Sequence, residues 1–181
     1  MKSVLFVTLW YPPAKTVAAV RPYQLARFLP KFGWEVHAVV PEYPNDGELY
    51  VSLPNIVRTP NKAGALERIK NSDKSYLPPW VAPLKKVARE VLFYPDDGKW
   101  WLPYGQKFAE RLLRSSKIDV IVSFGPSHVA HIICAELKKK FGVRWVADFS
   151  DPWSCNTVLD TSPIRDSFNR RLERRTIKDA D

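Results

Sequence analysis

The sequence predicts an α/β protein, a Rossmann-like three-layer αβα sandwich with a mainly parallel sheet. Val4–Trp10 is apolar and β-branched without polar alternation, which is typical of a strand covered on both faces. A helical pattern follows, and Glu35–Pro41 then has the character of a second strand, so the three form a β–α–β unit. The same order of strand, helix and strand recurs in Val120–Phe149. This repetition favours a doubly wound sheet.

The first helix is predicted to begin at Arg21-Pro22, because proline suits the first helical position. Its apolar residues recur at helical spacing: Leu25, Phe28, Leu29 and Phe32. Pro30 lies in the last turn, where it removes one hydrogen bond, so we expect the helix to kink or to end early. Gly33 then ends the helical pattern.

The middle of the chain has a weaker pattern. A turn is predicted at Pro44–Gly47 and a short third strand at Asn55–Pro60. Two helices are expected at Leu66–Lys70 and Leu84–Phe93, and the apolar residues of a third are Tyr104, Phe108, Leu112 and Leu113. A last helix is predicted to start at Ser162-Pro163 and to run to the end of the sequence.

Polar residues follow both strands of the late unit, in the stretch Asp119–Trp153. The strand Val120–Phe124 ends in Gly-Pro-Ser, a helix is predicted as far as Phe141, and Gly142 stops it. The strand Val143–Phe149 ends in Ser-Asp-Pro-Trp. In open parallel sheets ligands bind outside the carboxyl ends of the strands. The first candidates for function are therefore His128, Asp148 and Asp151.

Each candidate has a structural alternative. His128 and His131 share one side of a helix start, where orphan N–H groups favour a phosphate or an oxyanion. The alternative is that Ser127 caps this helix and that the histidines are packed residues. Asp148 and Asp151 can orient hydroxyls, act as a base, or cap the next turn. No third ligand has a motif spacing, so we expect no metal.

Composition excludes several classes of protein. The 181 residues suffice for about one domain, and two cysteines are too few for a disulfide framework or a zinc site. No signal-peptide core is present, and no apolar run approaches the ~20 residues of a membrane span, so we expect a cytoplasmic protein. The sequence has no G-x-G-x-x-G, P-loop or G-x-S-x-G, which argues against dinucleotide oxidoreductases, P-loop NTPases and α/β-hydrolases.

The net charge of +9 favours an anionic partner: nucleic acid, anionic lipid or a phosphorylated small molecule. The late basic residues fall on one predicted helix: Arg165, Arg170, Arg171, Arg174, Arg175 and Lys178. A solvated helix face explains them equally well. Aromatic and basic residues between Trp80 and Trp101 suit an anionic membrane surface, or they pack over the edge of the sheet. The aromatics do not interleave with the late basic run, so we expect no nucleic acid.

Five segments together resemble one family, the family 4 retaining glycosyltransferases of GT-B fold, and within it the amino-terminal, acceptor-side domain. They cover nearly the whole chain: Val4–Pro13, Arg21–Pro41, Tyr94–Gly105, Asp119–Trp153 and the closing RLERRTIKDAD. The resemblance depends on the combination of their order, their spacing and the element Asp-Phe-Ser-Asp-Pro-Trp, and no single segment decides it. The resemblance implies the N-terminal half of a GT-B fold.

In that family two Rossmann-like domains face each other across a cleft, and the carboxy-terminal one holds most of the nucleotide-sugar contacts. No paired-glutamate motif of that second domain occurs in this sequence. The resemblance thus implies that residues 1–181 are one N-terminal domain, inactive alone, in a protein that continues past Asp181. The whole enzyme would transfer sugar from a nucleotide-diphosphate donor with retention, without metal or cofactor. Its acceptor would be a sugar or lipid-linked molecule in cell-surface polysaccharide or glycolipid assembly, near the inner membrane face.

The resemblance also implies roles for single residues. His128 would orient hydroxyls of the acceptor or of the donor sugar, helped by Ser127 and His131, and Asp151 or Asp148 would hold the acceptor. The loop after the first strand lacks the glycines that usually approach the donor phosphates, and the substitute cations are Lys15 and Arg21. Relatives more often have arginine where this chain has Ser150, so a fixed cation beside the acceptor is missing there.

Two alternatives come from other classes. The first is a non-catalytic sugar- or nucleotide-binding Rossmann-like module, and the second is a basic domain that binds nucleic acid. The continuation of the reading frame separates the enzyme from the module, since only the enzyme needs a second Rossmann-like half.

Overall fold

A computed structural model describes residues 1–43, 55–60, 90–156 and 162–181. Within these ranges five parallel strands form one sheet in the order β3-β2-β1-β4-β5. The strands are β1 (Lys2–Thr8), β2 (Trp34–Pro41), β3 (Ile56–Thr59), β4 (Val120–Phe124) and β5 (Arg144–Asp148). The longer helices are α1 (Val20–Phe28), α2 (Leu102–Ser115), α3 (Val129–Phe141) and α4 (Pro163–Ile177). The α/β class predicted from the sequence is confirmed.

Helices cover both faces of the sheet and make the three layers. Alternate residues of β1 enter different cores, because successive side chains of a strand point to opposite faces. Leu5 and Val7 pack with residues of α2 and α3, whereas Val4 and Phe6 pack with residues of α1. Both faces of β1 are buried, which explains its apolar run without alternation.

The predicted late unit agrees closely with the structure. β4 has the predicted bounds, and α3 ends at Phe141, where Gly142 adopts the left-handed conformation with φ 67°. Ser162 caps α4 as expected, because its hydroxyl accepts the backbone N–H of Arg165 at 3.3 Å. The short third strand is also found within its predicted range.

The first helix ends early, as Pro30 predicts: α1 stops at Phe28 and a 3-10 turn, Leu29–Phe32, follows. The apolar residues at helical spacing do not form the inward face, because Phe28 and Phe32 are exposed while Tyr23 and Ala26 pack against the sheet. The small Ala26 side chain lets the helix lie close to the strands. Hydrophobic spacing alone does not distinguish this face from the larger apolar one.

Several predictions concern residues outside the described ranges: the turn at Pro44–Gly47, the helix Leu66–Lys70 and the run from Trp80 to Arg89. At the end of the aromatic segment, Trp101 is fully buried and its indole N–H donates to Thr59 Oγ1 at 2.7 Å, so this one ring packs inside the protein. In the described part of the chain, no helix has the length and apolar character to cross a bilayer.

The sheet brings three loops to one edge. Thr8, Phe124 and Asp148 are register partners, so β1, β4 and β5 end side by side. Chain order reverses between β1 and β4, because the strands wind outward from β1 in both directions. This is the topological switch point at which open α/β sheets bind ligands.

Candidate active site

His128 lies directly before α3, above the ends of β4 and β5. Its ring stacks on Trp153 with the ring centroids 4.6 Å apart and the planes 7° from parallel. Burial lowers the pKa of His128 to about 4, although the charges of Glu173 and Asp151 act in the opposite direction. The ring is therefore neutral near pH 7. A neutral imidazole in a fixed position can donate and accept hydrogen bonds with sugar hydroxyls, but it is not a cation for phosphate.

His131 lies beneath His128 and is fully buried. Its Nδ1 is 2.7 Å from Ser123 Oγ, which also accepts the indole N–H of Trp145 at 2.8 Å. The indole can only donate, so Ser123 Oγ acts as an acceptor for Trp145 and can pair with His131 Nδ1 in either tautomer. The ring also stacks on Phe149 with centroids 4.1 Å apart, and burial lowers its pKa to about 3. The geometry supports the packed alternative for this residue: His131 supports the site from below and does not reach its surface.

An acidic residue occupies the helix end at which a phosphate or an oxyanion was expected. The Asp96 carboxylate accepts the backbone N–H of His128 at 2.6 Å and the Ser127 hydroxyl at 2.9 Å. It also accepts the N–H of Gly98 at 2.7 Å. Burial raises the pKa of Asp96, while these hydrogen bonds act to lower it. The Asp96 carboxyl group thus caps the N-terminus of α3 from within the protein, and the Ser127 hydroxyl is directed to Asp96.

Sequence reasoning did not select Asp96 as a functional residue. Its local signal, an Asp-Asp-Gly turn after Pro95, is that of an ordinary cap for the 3-10 turn Asp97–Trp100. The partners that matter, Ser127 and His128, are about thirty positions away in the chain. Such a contact is decided by the tertiary fold.

An ion pair joins the first helix to the end of β5. Arg21 Nη1 is 2.6 Å from Asp148 Oδ1, and the arginine side chain is half exposed. Two predicted site residues are therefore partners of each other. Ser150, two positions later, donates its hydroxyl to the Gly125 carbonyl at 3.2 Å. Ser150 bears no charge, but Arg21 places a guanidinium close to this strand end.

The remaining predicted residues line the exposed side of the same edge. Asp151 is exposed in the loop after β5, near enough to influence the pKa of His128. That loop is held by Glu173 of α4, which accepts both the N–H and the hydroxyl of Ser154. Lys15 is exposed in the loop after β1. Across the described ranges, no three His, Cys, Asp or Glu side chains converge as a metal site.

Comparison with known proteins gives the family. Residues 18–181 match the family described as Glycosyl transferase 4-like domain. The solved structure of sucrose-phosphate synthase from Thermosynechococcus elongatus is similar, with a TM-score of 0.61 and 16% identity. The match covers 100% of this chain and 41% of that chain, so this sequence spans well under half of that protein. No curated protein is significantly similar in sequence. The chain therefore belongs to the glycosyl transferase 4-like domain family and has the fold of one Rossmann-like half of a GT-B glycosyltransferase.

Proposed function

We propose that this chain is the acceptor-side domain of a longer glycosyltransferase. The complete enzyme transfers a sugar from a nucleotide-diphosphate sugar to an acceptor hydroxyl with retention of anomeric configuration. The observation that carries this proposal is the neutral His128, fixed on Trp153 beside the Asp151 carboxylate at the switch point of the sheet. Membership in the glycosyl transferase 4-like family supports the general reaction.

Two carboxylates at the exposed edge of the sheet have different roles in this proposal. Asp151 is exposed, and the part of the chain that the structure describes gives it no ion-pair partner, so its oxygens accept a hydrogen bond from the acceptor hydroxyl. Asp148 is paired with Arg21, and its role is to hold that guanidinium at the cleft. His128 hydrogen-bonds a hydroxyl of the acceptor or of the donor sugar and fixes its orientation.

We place the donor diphosphate near the start of the first helical segment. Departure of the nucleotide diphosphate develops negative charge, which cations and helix N-termini stabilise. The N-terminus of α3 is already occupied by Asp96. The segment that begins with the 3-10 turn Val17–Ala19 has neither a side-chain cap nor an acidic residue in its first turn. Lys15 and Arg21 flank this turn, which supports binding of an anion here.

We further propose a role in cell-surface polysaccharide or glycolipid assembly at the inner face of a membrane, with a sugar or lipid-linked acceptor. The net charge of +9 supports contact with anionic substrates and lipids.

The test uses two substitutions of His128 in the complete protein. We expect His128→Ala to reduce kcat by about 100-fold or more, because the positioned hydrogen bond to a hydroxyl is lost. His128→Phe retains a ring against Trp153 and should be similarly impaired, which separates the loss of chemistry from the loss of packing. Glu136→Ala, at an exposed position on α3, is the matched control and should stay active.

Product configuration is measured in the same assays by NMR of the anomeric proton. Near-normal turnover by His128→Phe removes the imidazole from the mechanism, and an inverted product contradicts retention. A complete wild-type protein that binds a nucleotide sugar but transfers nothing would support the binding-module alternative.

A further inference from the structure

The first helix presents a row of large apolar side chains to solvent. We call it the α1 outer face and define it by five residues with their exposed fractions: Val17 89%, Val20 52%, Leu25 38%, Phe28 46% and Phe32 76%. They recur at spacings of three to five positions, so they follow one side of the helical segment. Scattered exposed apolar residues are normal in proteins, but a continuous row of this kind marks a contact surface.

The segment that carries this face has charges of one sign, and Arg21 among them is paired with Asp148 of β5. Residues 1–34 contain no aspartate or glutamate, and their basic residues are Lys2, Lys15, Arg21, Arg27 and Lys31. Arg27 and Lys31 both lie over the ring of Phe28, at 5.9 and 5.0 Å from its centroid. Long cationic side chains in this position can keep their charge in water while an apolar ring enters a less polar layer.

The outer face extends away from the candidate active site. α1 connects the carboxyl end of β1 to the amino end of β2, so it runs antiparallel to the strands. Phe32 stands two residues before β2 and lies at the amino ends of the sheet. A second domain placed over the carboxyl ends of the strands would cover the Val17 end of this face before the other end. Phe28 and Phe32 are left at the opposite end of the helix.

We propose that the α1 outer face docks on a bilayer surface that contains anionic phospholipid. Leu25, Phe28 and Phe32 enter the boundary between headgroups and acyl chains, while Arg27 and Lys31 contact lipid phosphates. The absence of acidic residues from the first 34 positions is the charge complementarity that favours this partner over a mixed-charge protein surface. The surface is distinct from the aromatic segment that ends in the buried Trp101. This inference rests on the membrane role proposed above and names the surface that makes the contact, but it does not depend on the glycosyl-transfer reaction.

The experiment is vesicle co-sedimentation of the purified chain. With vesicles of phosphatidylcholine containing about one-third phosphatidylglycerol we expect binding at low salt, and much less at about 1 M salt or with phosphatidylcholine alone. Phe28→Ser with Phe32→Ser should reduce the bound fraction by about tenfold, because both rings lose their apolar contact. Arg27→Glu with Lys31→Glu should reduce it similarly, because lipid attraction becomes repulsion.

The matched control replaces exposed apolar residues elsewhere, Val91→Ser with Ile164→Ser, which are 71% and 72% exposed. This variant should bind vesicles as the wild type does. Thermal unfolding of every variant is compared with that of the wild type, and exposed positions predict little change.

Three results overturn the proposal. The first would be a wild-type chain that does not sediment with anionic vesicles. The second would be a Phe28→Ser, Phe32→Ser variant that sediments as well as the wild type. The third would be a wild-type chain that does not bind vesicles but forms a dimer in light scattering, where the same variant is a monomer. That result would assign the face to a second copy of this chain. Transfer to a soluble acceptor is measured separately. Failure of vesicle binding therefore does not contradict the proposed reaction, and absence of transfer does not contradict the membrane contact.

Discussion

Two helices of this protein follow parallel strands in the same way, but their N-termini differ. α3 follows β4, and its first N–H groups point to the buried Asp96 carboxyl group, which caps this helix end from within the protein. The segment that leads into α1 follows β1 and has no side-chain cap or acidic first turn. The first end is closed by this cap, whereas the second is exposed and lies beside Lys15 and Arg21.

In the reaction proposed above, this difference would assign one substrate to each of the two helix ends. The capped helix end directs its first N–H groups to Asp96 and not to a ligand, so the α3 side is suited to neutral hydroxyls and to the uncharged His128 ring. An uncapped end beside Lys15 and Arg21 is suited to phosphate. The same β–α connection thus has opposite electrostatic character at two neighbouring positions of the sheet.

The largest expected effect tests the closed end. Asp96→Ala removes the acceptor for three donors in a buried position, so we expect a loss of roughly 2–4 kcal/mol in the free energy of unfolding. Urea denaturation of the chain measures this loss. Gly98→Ala should disturb the same cap sterically, because a Cβ at this position would lie 2.4 Å from Ser127 Oγ. If Asp96→Ala costs less than about 1 kcal/mol, the α3 end is not closed and the comparison fails.

A smaller effect concerns pH and the buried rings. Burial lowers the pKa of His128 to about 4 and that of His131 to about 3, whereas both rings protonate near pH 6.5 when the chain unfolds. The two neutral rings contribute to the free energy of unfolding above about pH 6.5, and this contribution is lost as the pH falls toward 4. The loss between pH 7 and pH 5 is on the order of 1–3 kcal/mol. Urea denaturation at both pH values measures the loss.

The ring resonances give a direct check of the same prediction. In an NMR titration His128 should stay neutral at pH 5.5, and Trp153→Ala should move its pKa up toward the ordinary value because the ring becomes solvated. A wild-type His128 that titrates near pH 6.5 contradicts a desolvated site.

The smallest effect tests the open end. Arg21→Ala breaks the pair with Asp148, but the arginine is half exposed, so we expect a change of less than about 1 kcal/mol in the free energy of unfolding. In the complete protein the same variant should instead raise KM for the nucleotide sugar by about tenfold, because a cation near the diphosphate is lost. Lys139→Ala, an exposed lysine paired with Glu136 on α3, is the control. An unchanged KM for Arg21→Ala would remove the guanidinium from the donor site.

Local sequence signals were reliable where the physical cause is local. Gly142 ends α3 because it can adopt the left-handed conformation, and Pro30 ends α1 because it lacks an N–H group. The apolar run of β4 predicted both its bounds and its place before a polar loop. The edge that holds His128, Asp148 and Asp151 follows from parallel strands alone, because their carboxyl ends must coincide.

Partners across the chain were not predictable from local signals. Asp96 has the local sequence of a turn residue, and only the fold brings it to His128. Arg21 and Asp148 were each selected as binding residues, but their pairing depends on how α1 lies against the end of β5. The inward face of α1 was likewise decided by packing, since Tyr23 and Ala26 displace the larger apolar side chains.

The sequence by itself determined the α/β class, the parallel sheet and the edge at which function is expected, because strand burial and helix ends depend on short-range periodicity and backbone conformation. The tertiary structure alone decided the electrostatics of that edge. Whether a helix end is open to a ligand depends on a carboxylate from a distant loop, and the pKa of His128 depends on the ring of Trp153 that buries it. Both are properties of the folded surroundings of a residue.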